Sequence, residues 1–90
     1  MFQAHLIISG KVQGVFYRDS CQEIAQGLIL TGWVKNMPNG QVEVLVQGEK
    51  EKIEKLIEWC KKGPPEARID NVEVRWNRIV NNFESFFISN

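Results

Sequence analysis

The sequence predicts an α+β sandwich, in which two helices cover one face of a single antiparallel sheet. Three observations support this: stretches of alternating β-branched residues, two stretches with apolar residues at three- and four-residue spacing, and glycines or prolines at their boundaries. The 90 residues leave room for one small domain. We therefore expect residues 1–90 to fold as a single domain around one hydrophobic core.

The first half of the chain reads as a strand, a helix and a hairpin. Ala4 to Val12 alternates and is rich in β-branched residues, which is typical of a strand. The apolar stripe that follows a glycine-containing loop predicts a helix from about Arg18 to Leu30. Trp33 to Met37 and Gln41 to Gln47 are strand-like runs on either side of a Pro-Asn-Gly turn, and they predict a hairpin.

The second half reads as a helix and two strands. After Gly48, apolar residues share one face of a charged stretch that a Gly-Pro-Pro sequence stops, which predicts a second amphipathic helix. Ile69 to Trp76 alternates again, and Phe83 to Ile88 is a last apolar run. The order is βαββαβ with a short terminal strand, and two right-handed crossovers place both helices on one face. This arrangement is the ferredoxin-like fold.

The charge balance argues against two classes of partner. Eleven Lys and Arg residues against eleven Asp and Glu residues give a formal net charge of zero. Such a chain lacks the long-range field that draws proteins to nucleic acid or anionic lipid, so neither RNA, DNA nor a membrane is expected as a partner. The longest aliphatic run near the N-terminus, Leu6 to Ile8, is far shorter than a signal peptide's apolar region, so we expect a cytoplasmic protein. No long apolar run requires a partner subunit, and a monomer is expected.

Metal and redox chemistry are not indicated either. The chain has two cysteines, Cys21 and Cys60, and one histidine, His5, which cannot supply a zinc site or a CxxC pair. No metal or other cofactor is therefore expected. The fold allows both cysteines to lie on the same side of the sheet, so a disulfide stays open, although buried thiols are favoured in a reducing cytoplasm. His5 has no partner acid at catalytic spacing and is interpreted as a surface strand residue.

The segment from Gly10 to Arg18 leaves a strand, turns through glycines and enters a helix with an arginine at its start. A helix start offers unpaired backbone N–H groups and the positive end of the helix dipole, and a guanidinium can grip two oxygens of a tetrahedral anion. The segment predicts an oxyanion-binding loop, and the alternative of a tight turn with a surface arginine stays open on this pattern alone. The glycine spacing matches neither Gly-Lys-Ser/Thr nor GxGxxG, so nucleotide binding is not indicated.

A second cluster of motif residues runs from Gly32 to Gly48. Together with the segment from Gly10 to Arg18, it closely resembles the two signatures of the acylphosphatases. The first signature matches Ile8, Gly10, Val12, Gln13, Gly14, Val15, Tyr17 and Arg18, and the second matches Gly32, Trp33, Val34, Lys35, Asn36, Gly40, Val42 and Gly48. Every spacer length is kept, and the likeness covers essentially all 90 residues.

The resemblance implies an enzyme that hydrolyses acyl phosphates to a carboxylate and inorganic phosphate without a metal. It implies that Arg18 binds the phosphate and that Asn36 positions the attacking water. The backbone donors would come from the loop residues Gln13, Gly14, Val15, Phe16 and Tyr17. Inorganic phosphate is then expected both as product and as inhibitor.

The hydrolysis of an acyl phosphate requires few catalytic groups. A carboxylate leaving group has a pKa of about 4, so it departs without protonation and needs no general acid. Phosphoryl transfer asks mainly for positioning and for stabilisation of negative charge. Three residues at the loop and the helix start depart from the family pattern: Tyr17 stands where phenylalanine is commoner, Cys21 stands where threonine is frequent, and Asp19 places a carboxylate beside the arginine. Asp19 is interpreted as a helix-start residue favoured by the dipole, and a position facing the pocket would weaken phosphate affinity.

Two other functional classes were weighed. RNA-recognition domains share the βαββαβ order and stack bases on sheet aromatics, but the zero net charge and the lack of their aromatic-glycine string count against them. An accessory domain is the third possibility, since acylphosphatase-like modules also occur at the front of hydrogenase-maturation carbamoyltransferases. The end of the chain after its last strand favours the free-standing enzyme.

Overall fold

The computed structural model describes residues 1–89, which form five strands and two helices. In chain order these are β1 (Phe2–Lys11), α1 (Tyr17–Gly27), β2 (Thr31–Asn36), β3 (Val42–Gly48), α2 (Lys50–Lys62), β4 (Arg68–Asn77) and β5 (Phe86–Ile88). The strands lie in the order β4-β1-β3-β2-β5. The predicted element order and the ferredoxin-like fold are confirmed.

The pairing of the last strand adds one feature to the predicted antiparallel sheet. Strands β1 to β4 pair antiparallel, as expected, but β5 pairs parallel to β2, so the complete sheet is mixed. After β4, which forms one edge of the sheet, the chain crosses to the other edge, where β5 lies beside β2 and runs in the same direction. The strand is short because only Phe86–Ile88 of the predicted run 83–88 joins the ladder.

Helix α1 is shorter than its apolar stripe predicted. It begins at Tyr17, one residue early, but it ends at Gly27 rather than near Leu30. Ile29 adopts a left-handed backbone conformation with φ 58°, and its N–H bonds to the carbonyl of Gln26 at 3.0 Å. The N–H of Leu30 bonds to the carbonyl of Ala25 at 3.0 Å, which completes a Schellman motif. The helix therefore stops within its own apolar repeat.

One hydrophobic core lies between the sheet and the two helices. Alternate residues of the central strands point into it, and both helices contribute one apolar stripe. Phe86 of β5 is buried in the core, whereas Trp76 of β4 and Phe87 of β5 are partly exposed. Cys21 and Cys60 are buried in the core and both are free thiols. Neither helix of residues 1–89 has the length and the apolar character needed to cross a membrane.

The opposite face of the sheet carries a contact that the local sequence did not indicate. His5 is half-buried, and its Nε2 lies 2.6 Å from Glu43 Oε2 on the neighbouring strand β3. The antiparallel register between β1 and β3, in which Ile7 faces Glu43, brings the two side chains onto the same face. His5 is therefore a paired strand residue and not a lone surface group.

The strand order also determines where a site can form. Strands β1 and β2 both pair antiparallel with β3, so they run parallel to each other on either side of it. Their carboxyl ends consequently meet at the same edge of the sheet. The loop after β1, the start of α1 and the last residue of β2, Asn36, lie together at that edge.

Candidate active site

The loop between β1 and α1 is shaped by two residues in left-handed backbone conformations. Gly14 has φ 75°, which glycine adopts without steric cost. Phe16 has φ 64° and ψ 26°, a conformation that is sterically unfavourable for a residue with a Cβ. Phe16 also directly precedes α1 and makes no side-chain capping hydrogen bond to it. The loop thus turns sharply into a helix whose start is left uncapped.

The backbone N–H groups of this segment are free to bind a ligand. Within residues 1–89, none of the N–H groups from Gln13 to Asp19 donates a hydrogen bond to another backbone group outside the regular ladders, and the first such bond in the helix runs from Ser20 to the carbonyl of Phe16 at 3.1 Å. The first turn of a helix normally leaves such donors unpaired, and the helix dipole adds partial positive charge there. The segment is suited to an anion.

A cavity of about 270 Å³ opens at this edge of the sheet. It is lined by residues from the loop, the first turn of α1 and the end of β2: Val12, Gly14, Phe16, Tyr17, Arg18, Asp19 and Asn36. The structure therefore brings the arginine of the first motif and the asparagine of the second, 18 positions apart in the sequence, around one space. A tetrahedral phosphate group fits a space of this size.

Arg18 supplies the positive charge of this cavity. It is half-buried, and it takes part in none of the ion pairs that the structure shows between residues 1 and 89. Asp19 is exposed, lies in the first turn of α1 and also lines the cavity. Asp19 therefore combines the helix-start position with a place beside the anion site.

Asn36 contributes a polar group from the opposite side. It is the last residue of β2 and pairs with Val42 of β3. Its side-chain Oδ1 is buried and has no hydrogen-bond donor among residues 1–89. A buried acceptor without a partner costs on the order of 1–3 kcal/mol, so it is an unusual feature outside a functional site.

Two of the predicted phosphate-binding residues do not line the cavity. Val15 is buried in the core, where only 5% of its surface is exposed. Gln13 is half-buried, and its side chain donates from Nε2 to the carbonyl oxygens of Met37 and Gln41, both at 2.8 Å. Any contribution of these two residues to an anion must come from their backbone.

Tyr17 lines the cavity, but its aromatic side chain belongs to the core. Its hydroxyl donates to the carbonyl of Cys60 at 2.9 Å, and its ring packs against Trp59 with centroids 5.2 Å apart. Burial raises the pKa of the Tyr17 hydroxyl far above its usual range, with the neighbouring cysteines adding to the effect. The contact with Cys60 and burial likewise raise the pKa of the Cys21 thiol. Tyr17 thus anchors the start of α1 to the end of α2.

The structure adds Val12 to the lining of the cavity. This residue belongs to the first signature but was given no role there, and it lines the cavity because it directly follows the end of β1. A second, larger groove of about 820 Å³ lies between the two helices and the loop after α2, and it contains none of the predicted site residues. Size alone would select that groove, whereas the convergence of polar groups favours the smaller cavity as the candidate site.

Comparison with known proteins shows the family to which the chain belongs. Residues 4–88 match the family model for acylphosphatase. The chain is 42% identical over 87 residues to an acylphosphatase of Pelotomaculum thermopropionicum, with 97% of this chain and 95% of that protein covered.

Solved structures give the same result. The crystal structure of acylphosphatase from Bacillus subtilis superposes with a TM-score of 0.97 at 33% identity, over 100% of both chains. The structure of an acylphosphatase from Coxiella burnetii superposes with a TM-score of 0.92 at 42% identity, over 98% of this chain and 92% of that chain. In sequence and in fold, over nearly all of its length, this chain belongs to the acylphosphatase family and is a hydrolase of that family.

Proposed function

We propose that the protein hydrolyses acyl phosphates by direct attack of water on a phosphoryl group held by Arg18 and by the free N–H groups of residues 13–19. The observation that carries this proposal is the cavity in which Arg18, the uncapped start of α1 and Asn36 converge. The guanidinium and the N–H groups bind the three phosphoryl oxygens and stabilise the charge that they carry in the transition state.

Asn36 has the role of positioning the attacking water. Its buried Oδ1 lacks a donor within residues 1–89, and a water molecule can donate to it. The water oxygen forms the new bond to phosphorus, while the bond from phosphorus to the acyl oxygen breaks and the carboxylate leaves with the electron pair. The proton lost by the water passes to a phosphate oxygen of the substrate.

The leaving group explains why two side chains suffice. The carboxylic acid that is released has a pKa of about 4, so its anion departs without a general acid. Positioning and charge stabilisation then account for most of the catalysis. We accordingly propose a reaction that needs no metal or other cofactor, and we expect rates to be unchanged after exhaustive treatment with a chelator.

The remaining elements of the proposal concern the protein as a whole. We propose that residues 1–90 form a single domain that acts as a cytoplasmic monomer, in agreement with its zero net charge and single core. Inorganic phosphate, the product, is proposed to inhibit competitively because it occupies the site that binds the phosphoryl group of the substrate. Light scattering after size exclusion tests the monomer, and inhibition kinetics test the phosphate.

Hydrolysis of benzoyl phosphate by the Asn36→Ala variant tests the assignment most directly. If Asn36 orients water in the transition state, kcat falls by about 10²-fold or more while the inhibition constant of phosphate stays nearly unchanged. Asn36→Asp is also expected to fail, because its carboxylate repels the phosphate. A large loss of thermal stability with near-normal turnover in Asn36→Ala would instead assign the residue to the hairpin and remove the water-positioning role.

A further inference from the structure

The side chain of Gln13 connects the two halves of the site. Its Nε2 donates to the carbonyl oxygens of Met37 and Gln41, each at 2.8 Å. These carbonyls lie at the neck of the β2–β3 turn, where the N–H of Met37 also bonds to the carbonyl of Gln41 at 2.8 Å. One amide group thus uses both of its hydrogens to hold the two sides of the turn.

The hydrogen bonds of Gln13 join residues that are next to Asn36 and to Gly14 in the chain. Met37 directly follows Asn36, and Gln13 directly precedes Gly14 of the anion-binding loop. Asn36 and Val42 form the last pair of the β2–β3 ladder, and beyond them the backbone of the turn is held by the Met37–Gln41 bond and by a bond from the Gly40 N–H to the carbonyl of Met37 at 3.1 Å. Within residues 1–89, the two bonds of Gln13 are the hydrogen bonds that join the loop 12–16 to the turn 37–41.

We propose that Gln13 is a positioning residue, which fixes the distance between the water-orienting Asn36 and the anion-binding loop by holding the β2–β3 turn through its amide. This inference rests on the proposed role of Asn36. It gives the Gln13 side chain a role of its own, beside the expected contribution of the Gln13 backbone to phosphate binding, because both amide hydrogens are bound to the turn. A misplacement of about 1 Å between a reacting group and its partner can cost about 10²-fold in rate, so such a link has a measurable effect.

The turn has a second tether that provides a matched control. The side chain of Gln41 donates from Nε2 to Ser9 Oγ at 2.8 Å, and this bond joins the turn to strand β1 instead of the loop. Ser9→Ala removes one hydrogen bond of the same length from the same turn. If Gln13 merely stabilises the turn, the two substitutions should affect turnover alike.

The experiment measures kcat for benzoyl phosphate and the inhibition constant of phosphate in Gln13→Met, which keeps the shape of the side chain but removes both donors. We expect kcat to fall about tenfold or more, with the phosphate constant within about threefold of the parent value. Ser9→Ala is expected to keep the parent kcat. Gln13→Asn, which keeps the amide on a shorter stem, should lose kcat in the same direction and serves if the methionine variant is unstable.

The double variant distinguishes action through Asn36 from an independent effect. In an Asn36→Ala background, Gln13→Met should cause no further loss of kcat, because the group that it positions is gone. Full kcat in Gln13→Met, or a full additional loss in the double variant, would overturn the positioning role alone. Parent kcat in Asn36→Ala itself would overturn the proposed water-positioning function, so the two failures are separate.

Discussion

The two ends of helix α1 share a backbone conformation but differ in capping. Each is bounded by a non-glycine residue in the left-handed conformation, Phe16 before the helix and Ile29 after it. At the carboxyl end, the N–H groups of Ile29 and Leu30 satisfy carbonyls of the last turn. At the amino end, Phe16 makes no capping bond, and the first N–H groups stay free.

The backbone strain at the two residues has different consequences: at Ile29 it accompanies a capped helix end, and at Phe16 it accompanies an uncapped helix start. The left-handed conformation costs about 1–2 kcal/mol for an ordinary residue. At Ile29 the cost is offset by two backbone hydrogen bonds, and the result is a helix end. At Phe16 no side-chain cap offsets it, and the result is a helix start without backbone partners for its N–H groups, beside the cavity that Arg18 and Asn36 line. The amino end therefore gives up stability that a bound anion can restore.

The largest expected effect comes from removing the charge at the amino end. Arg18→Ala should reduce kcat/KM for benzoyl phosphate by about 10³-fold or more, because the guanidinium binds phosphoryl oxygens in the transition state. Arg18→Lys should be nearly as damaging, since a point charge lacks the planar two-donor grip. Both variants are expected to keep the parent circular dichroism spectrum, because Arg18 forms none of the ion pairs described within residues 1–89. Full turnover in Arg18→Ala would refute the anion site.

A smaller effect on turnover is expected from Phe16→Gly. Glycine adopts the left-handed conformation freely, so the substitution relieves backbone strain, and the 70% exposed side chain gives up few contacts. The loop becomes more flexible, however, and its N–H groups are less well organised. We expect kcat/KM to fall about three- to tenfold. Unchanged kinetics would show that the loop keeps its geometry without this residue.

The matched substitution at the other end, Ile29→Gly, should leave turnover unchanged. Ile29 is 84% exposed and lies far along the helix from the cavity, so its removal relieves backbone strain at little cost in packing. We expect the protein to become more stable by about 1 kcal/mol, which raises Tm by roughly 4–8 °C for a domain of this size. A fall in kcat, measured with the same substrate, would contradict the functional difference between the two ends.

Sequence patterns predicted the order of the elements, but they did not predict the carboxyl end of α1. The apolar stripe of the helix reaches Leu28 and aliphatic residues continue to Leu30, while the helix ends at Gly27. The pattern records which side chains face the core, and Leu30 does so from outside the helix, with only 3% of its surface exposed. An apolar residue at position 30 therefore indicates burial, but it does not show whether the backbone there is still helical.

The amino-acid sequence by itself determined the fold class and the glycine-containing loop from β1 into α1, because side-chain periodicity and glycine placement act over a few neighbouring residues. Only the tertiary structure decided which distant groups meet: Asn36 with Arg18, the amide of Gln13 with the β2–β3 turn, and His5 with Glu43. These contacts depend on strand order and register, which result from packing the whole core. For the same reason the parallel pairing of β5 with β2 was visible only once the sheet was assembled.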